Sequence, residues 1–296
     1  MFVIKYRKIF YAFSIILILG SLLSVYFWGL KQGVDFSGGS LLQVTYNNER
    51  PALNQINGAL SNLGFGDAQV RSSSDGYILR LREISQSEKN SILSALTFGS
   101  STPTEKTFSS VGPILGKEAL QKSWISIIFV LLTIVLFIAF AFRKVSRPIS
   151  SWIYGLVAIL ALLHDVVIPT GAFALLGHLY GFEIDTLFVT ALLVILGFSV
   201  HDTIVVFDRV RENLQKNEKK EFAQIVGESV SETFVRSINT SLTTILAILV
   251  LYIFGPETIR HFSLTLLIGI AVGTYSSIFI GSPLLVTINS WKNKGV

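Results

Sequence analysis

Six stretches of this chain are apolar for long enough to cross a lipid bilayer, and they constrain its fold more than any other feature. A hydrocarbon core about 30 Å thick takes roughly 20 helical residues. Runs of that order cover residues 9–28, 124–142, 151–176, 187–207, 238–254 and 262–288. With 51% hydrophobic and only 15% charged residues, the chain has lipid as its main solvent. The first run follows Lys5, Arg7 and Lys8 like a signal sequence, but it is too long for a signal h-region and no A-x-A site follows. It reads as an uncleaved anchor.

Lys and Arg in short loops set the orientation of such a chain. Lys5, Arg7 and Lys8 precede the first run, and Arg143, Lys144 and Arg147 separate the second from the third. Arg209, Arg211, Lys216, Lys219 and Lys220 follow the fourth, and Lys292 and Lys294 close the chain. All lie on one side, whereas the opposite short loops, 177–185 and 255–261, hold Arg260 as their one Lys or Arg. Both termini are therefore expected in the cytoplasm and the long segment 29–123 outside it. The net charge of +5 belongs to these orientation signals, so no nucleic-acid partner is expected. The absence of cysteine excludes disulfides, thiolate metal sites and cysteine nucleophiles.

Segment 29–123 loses the apolar runs and shows globular patterning. Strands are expected at 41–46, 67–72, 76–82 and 104–109, with helices at 51–63 and 85–96. In 76–82, Tyr77, Leu79 and Leu81 alternate with Ile78, Arg80 and Arg82 at the period of a half-buried strand. Ser85 with Glu88 three residues on has the spacing of a capping box. The order βαββαβ predicts a small ferredoxin-like α+β domain. The expected plan is a cytoplasmic start and first span at 1–28, an exoplasmic domain at 29–123 and five spans over 124–296. Within 219–235, Phe222, Ile225, Val226, Val230 and Phe234 recur at helical spacing, which predicts an amphipathic helix lying in the membrane interface or packed on the bundle ends.

Ionisable groups in the hydrocarbon region cost roughly 2.5 to 3.5 kcal/mol each and are kept where they face a bundle interior, a partner or a water path. His164 and Asp165 fall within the third run, His201 and Asp202 within the fourth, and Arg236 just before the fifth, near Asn239. Asp202 sits in apolar sequence beside Ser199 and Thr203, where desolvation favours the neutral carboxyl. A carboxyl that approaches Arg236 when ionised and releases it when protonated forms a two-state element that a proton gradient biases. The alternative is a static ion pair or a helix-end Asp reaching the cytoplasm. Adjacent His164 and Asp165 point about 100° apart on a helix, which predicts a polar knot between helices rather than a shared relay. Gly269, Gly273, Ser277 and Gly281 recur every four positions as a close-packing stripe. The His-Asp pairs lack the i, i+4 spacing of metal ligands on one helical face, so neither an enzyme nor a cofactor is expected.

Two motifs carry a resemblance. Gly33-Val34-Asp35-Phe36-Ser37-Gly38-Gly39, directly after the first run, is similar to a signature of the SecD/SecF family of protein-export membrane proteins, within the RND superfamily. The stretch from Gly197-Phe198-Ser199-Val200-His201-Asp202-Thr203 through Phe207-Asp208-Arg209 to Asn213 resembles the fourth-span motif of its SecF branch, with His201 where Asn is the more usual residue. Leu163-His164-Asp165-Val166 and Arg236-Ser237-Ile238-Asn239-Thr240-Ser241 also fall where that branch has similar runs. The resemblance implies half of an RND-type bundle completed by SecD, association with the SecYEG channel, and use of the proton-motive force to promote export of preproteins. It aligns the family's intramembrane aspartate and arginine with Asp202 and Arg236. The rival reading is a self-pairing, proton-driven exporter of lipids or small molecules.

Overall fold

The computed structural model describes residues 2–47, 49–73, 75–142, 149–216 and 220–294. Arg143, Lys144, Arg147 and Lys219, four of the orientation signals, lie outside the described residues. The chain opens with a single helical turn, Phe2–Lys5, and then α1 (Arg7–Trp28). It separates into two compact units, Gln32–Trp124 and a membrane unit made of Met1–Lys31 with Ile125–Val296.

The unit Gln32–Trp124 is an α+β sandwich: β1 (Gly39–Tyr46), α2 (Leu53–Asn62), β2 (Gln69–Ser72), β3 (Gly76–Leu81), α3 (Gln86–Ala95) and β4 (Pro103–Val111). The order across the sheet is β2-β3-β1-β4, with every neighbouring pair antiparallel. That is the ferredoxin-like arrangement expected from the order of elements. Register follows the alternation of side chains: Leu42 pairs with Leu79 and Val44 with Tyr77, so all four enter one core with Ile56, Leu60, Ile92 and Leu96. Tyr46, whose hydroxyl donates to Leu96 O at 3.0 Å, is pushed up to about 12 by burial and by the neighbouring Tyr77. Ser85 caps α3 by accepting from Glu88 N at 3.3 Å, and Glu88 Oε2 accepts from Ser85 N at 2.8 Å, the reciprocal box its spacing predicts.

The Gly-rich motif roots this unit. A helical turn at Val34–Ser37 buries Val34 and Phe36, and the chain enters β1 through Gly38 at φ +77° and Gly39 at φ +118°. A Cβ on Gly38 would lie 2.7 Å from Pro113 Cα, and one on Gly39 would lie 2.6 Å from Leu81 O. The entry to β1 is thereby packed backbone to backbone against the start of α4 and the end of β3.

Helix α4 (Pro113–Ala141) starts ahead of the second apolar run, because Pro113 suits a first helical turn. It is followed by α5 (Ser151–Tyr180), α6 (Thr186–Lys216), α7 (Phe222–Phe254), α8 (Arg260–Ser276) and α9 (Ser282–Lys294). Six helical segments are long and apolar enough to cross a membrane, with α8 and α9 together making the sixth. Half or more of the apolar window of α5, α6 and α8–α9 is buried, against 6% for α1, 17% for α4 and 11% for α7. The first three form the centre of the bundle, and the others keep broad outer faces for lipid or protein.

Two segments differ from the sequence expectation. Where an amphipathic helix and a separate fifth span are expected, one helix, α7, runs through both. Phe222, Ile225, Val226 and Val230 are buried, and Phe222, Val226 and Val230 join Phe207 and Val210 of α6 in one cluster, so the second of the two placements is the one seen. Phe234 leaves that face and is 38% exposed. Arg209 pairs with Glu232 and Glu212, and Lys220 with Glu228, along the same stretch. The sixth run is interrupted by a π-helical turn at Ser277–Gly281. Pro283 cannot donate to the α-helical ladder, and Ser282 Oγ donates to Ser277 O at 3.0 Å, so the wider turn absorbs the mismatch.

Candidate functional site

Helix α6 presents Ser199, Asp202, Thr203 and Val206 at i, i+3, i+4 and i+7, all buried against neighbouring helices. Helix α8 comes close enough to meet them because its facing side is small. A Cβ on Gly269 would collide with Ile195 Cδ1, and one on Gly273 would lie 3.1 Å from Ser199 Cβ. Gly269 and Gly273 of the stripe thus lie against α6, a contact continued by a 2.9 Å hydrogen bond between Ser277 and Thr203, whereas Gly281 faces Ser276 O of its own segment.

Two carboxyls flank the Gly273–Ser277 segment, and they differ in how well the protein solvates them. Asp165 of α5 is fully buried. Its Oδ2 accepts from Ser199 Oγ at 2.5 Å and from Ser276 Oγ at 2.8 Å, and its Oδ1 lies 2.9 Å from His164 Nδ1. Three helices are tied at this one carboxyl. Adjacent in the chain, His164 and Asp165 nevertheless touch, because the imidazole folds along the helix to reach the carboxylate.

Asp202 is 3% exposed and, among the described residues, accepts one long hydrogen bond, from Ser241 Oγ of α7 at 3.4 Å. Ser241 in turn accepts from Thr274 Oγ1 of α8 at 2.6 Å. A buried carboxyl with a single weak donor is poorly served when ionised. Among the described residues no ion pair within 4.0 Å joins Asp202 to Arg236, which acts on it through space, as does His201. Arg236, Asn239 and His201 are exposed on the surface of this chain. Asn239 therefore joins neither carboxyl's cluster.

Sequence reasoning missed Ser276, which donates to Asp165, Thr274, which donates to Ser241 beside Asp202, and Tyr275, whose ring stacks on His164. Their signal is position: they fill the interval between Gly273 and Ser277 of the small-residue stripe. Among the described residues no group of three His, Asp or Glu side chains is arranged to hold a metal ion.

This fold and buried polar core define a multi-pass helical membrane protein with one α+β domain and carboxyls buried among its long apolar helices. The sequence profile described as protein export membrane protein SecD/SecF, C-terminal, matches residues 93–291, and that of the SecD/SecF GG motif matches residues 29–49. The protein translocase subunit SecF of Thermobaculum terrenum is 44% identical over 306 residues, covering 99% of this chain and 94% of that one. The SecF of Anaerolinea thermophila is 37% identical over 97% of this chain. The crystal structure of SecDF from Thermus, a translocon-associated membrane protein, is 30% identical with a TM-score of 0.83, and the match covers 98% of this chain but 38% of that one. The chain belongs to the SecD/SecF family of protein-export membrane proteins, on its SecF side: a translocase subunit, not an enzyme.

Proposed function

We propose that this chain pairs with a SecD protein in a bacterial cytoplasmic membrane and that the pair uses the proton-motive force to promote passage of preproteins through the SecYEG channel. The observation that carries this reading is the state of Asp202, a carboxyl buried in an apolar bundle with one long hydroxyl contact and a cation, Arg236, near but unbonded. Protonation removes a charge that the site solvates poorly, whereas deprotonation rewards approach of Arg236. The two states prefer different placements of α7 against α6, which turns proton passage into helix movement. His201, beside Asp202 and exposed, is the candidate entry group.

Pairing with SecD is supported by the Thermus SecDF chain, of which this chain spans the smaller part. It is also supported by the exposed faces of α1, α4 and α7, since Arg236 stands on a helix with little burial of its own. The clustering of Lys and Arg on one side supports termini in the cytoplasm and an exported domain over 29–123, followed by the membrane region 124–296. The test is reconstitution with SecD and the channel in sealed vesicles. Asp202→Asn keeps the shape and removes the titration, and it is expected to abolish gradient-dependent stimulation of export and proton flux together.

A further inference from the structure

The His164–Asp165 couple does more than tie helices. His164 is 2% exposed, its Nδ1 faces Asp165 Oδ1 at 2.9 Å, and its buried Nε2 has no hydrogen-bond partner among the described residues. A carboxylate at Nδ1 holds the imidazole in the tautomer with the proton on Nδ1, which leaves the Nε2 lone pair free. The ring of Tyr275 stacks on the imidazole with centroids 6.1 Å apart and planes at 25°. The pocket is therefore built for a cation: an anion at one edge of the imidazole, a π face beside it and an open basic nitrogen.

We propose that His164 is a second proton-binding site in this chain, separate from Asp202. The proton adds to the Nε2 lone pair, Nδ1–H stays bonded to Asp165, and the product is an imidazolium–carboxylate pair with no net charge. The surrounding groups suit that change. Asp165 is the anion facing His164 on its own helix. From α8 comes Tyr275, whose hydroxyl accepts from Ser14 Oγ of α1 and donates to Phe10 O. The other titratable groups of the packed helices turn elsewhere, with Tyr11 of α1 bonded to Thr287 and Asp202 of α6 bonded to Ser241. Because Asp165 also receives Ser199 and Ser276, a charge gained at His164 draws on the carboxylate that anchors α6 and α8, one turn from Asp202 on α6 and two residues from Thr274 on α8. Protonation at His164 thereby acts on the Gly273–Ser277 segment through Ser276, whereas Asp202 reaches it through Ser241 and Thr274.

The test is nitrogen NMR on the full chain labelled with ¹⁵N-histidine in lipid nanodiscs, assigned among its four histidines with His164→Gln. The expected result is an Nδ1–H tautomer in alkali that converts to the doubly protonated ring on acidification, within the pH window over which the chain stays folded. The conversion persists in Asp202→Asn, which separates this site from the proposed coupling carboxyl, and it disappears from that window in Asp165→Asn, where the imidazolium lacks its anion. Should Asp165→Asn fail to fold, Ser276→Ala replaces it and moves the midpoint upward, since the carboxylate loses a competing donor. A His164 ring that keeps one neutral tautomer across the whole range, or that carries its proton on Nε2, overturns the proposal.

Discussion

Ser276 donates a 2.8 Å hydrogen bond to Asp165 across 111 positions of sequence, and through it α8 is fastened to α5 at a point with no access to water. Ser199 makes the matching bond from α6, so one carboxylate holds the three most buried helices of the bundle. Charge-assisted bonds of this kind contribute about 1.5 to 3 kcal/mol in water-soluble proteins and about 0.6 on average between helices in a membrane. Ser276→Ala is therefore expected to destabilise the chain by about 1 kcal/mol. Asp165→Ala is expected to cost several times more, because it strands three donors. Equilibrium unfolding in mixed detergent micelles measures both.

The Gly-rich motif is a steric requirement before it is anything else. Gly38→Ala would place a methyl group 2.7 Å from Pro113 Cα at a φ of +77°. Strain of that sort costs about 1 to 3 kcal/mol. The expected outcome is a lower melting temperature of the full chain, with loss of amide protection concentrated in β1 and at the start of α4. Ala at Gly58, where nothing lies within 4 Å of a Cβ, is expected to be neutral or mildly stabilising and serves as the control.

The close approach of α8 to α6 depends on Gly273 having no side chain. Gly273→Val pushes against Ser199 and opens the Asp165 cluster, so it is expected to destabilise the bundle and to reduce export even with Asp202 intact. Cysteine pairs introduced across α6 and α8 in this chain, which has no cysteine of its own, are expected to cross-link in the parent and lose cross-linking in the variant.

Acid acts on the α+β unit through a different group. Glu88 is held down to about 2, first by the backbone amide of Ser85, then by Arg82 and the Ser85 hydroxyl. Its folded value lies below the ordinary 4.5, so the stability it supplies is complete above about 4.5 and is lost as pH falls through about 2. Glu88→Gln is expected to reduce protection of the first turn of α3 at neutral pH. That difference from the parent is expected to shrink steadily over this window, as hydrogen exchange would record.

Membrane spans, sheet order and the Ser85 cap were legible because each rests on local spacing: run length, alternation of two, and a polar pair three apart. Asp202 and Asp165 were legible as expensive residues in fat. Their surroundings were not, since which of many serines and threonines faces a carboxyl depends on helix rotation, and only Gly273 marked the interval that carries Thr274, Tyr275 and Ser276. The direct Asp202–Arg236 pair that charge alone suggests is absent among the described residues, because Arg236 points to the outer face of α7. Continuity of α7 was hidden by its change of character after Phe234, where the apolar face buried on α6 gives way to a polar stretch over 236–244 before the apolar run resumes.

The most direct test of the coupling account is the paired measurement of proton flux and gradient-dependent export in vesicles holding this chain, SecD and the channel. With Asp202→Asn, flux and the gradient-dependent part of export are predicted to fall together to the level of vesicles lacking the chain, while basal export stays unchanged. Export that still responds fully to the gradient in that variant would contradict the account.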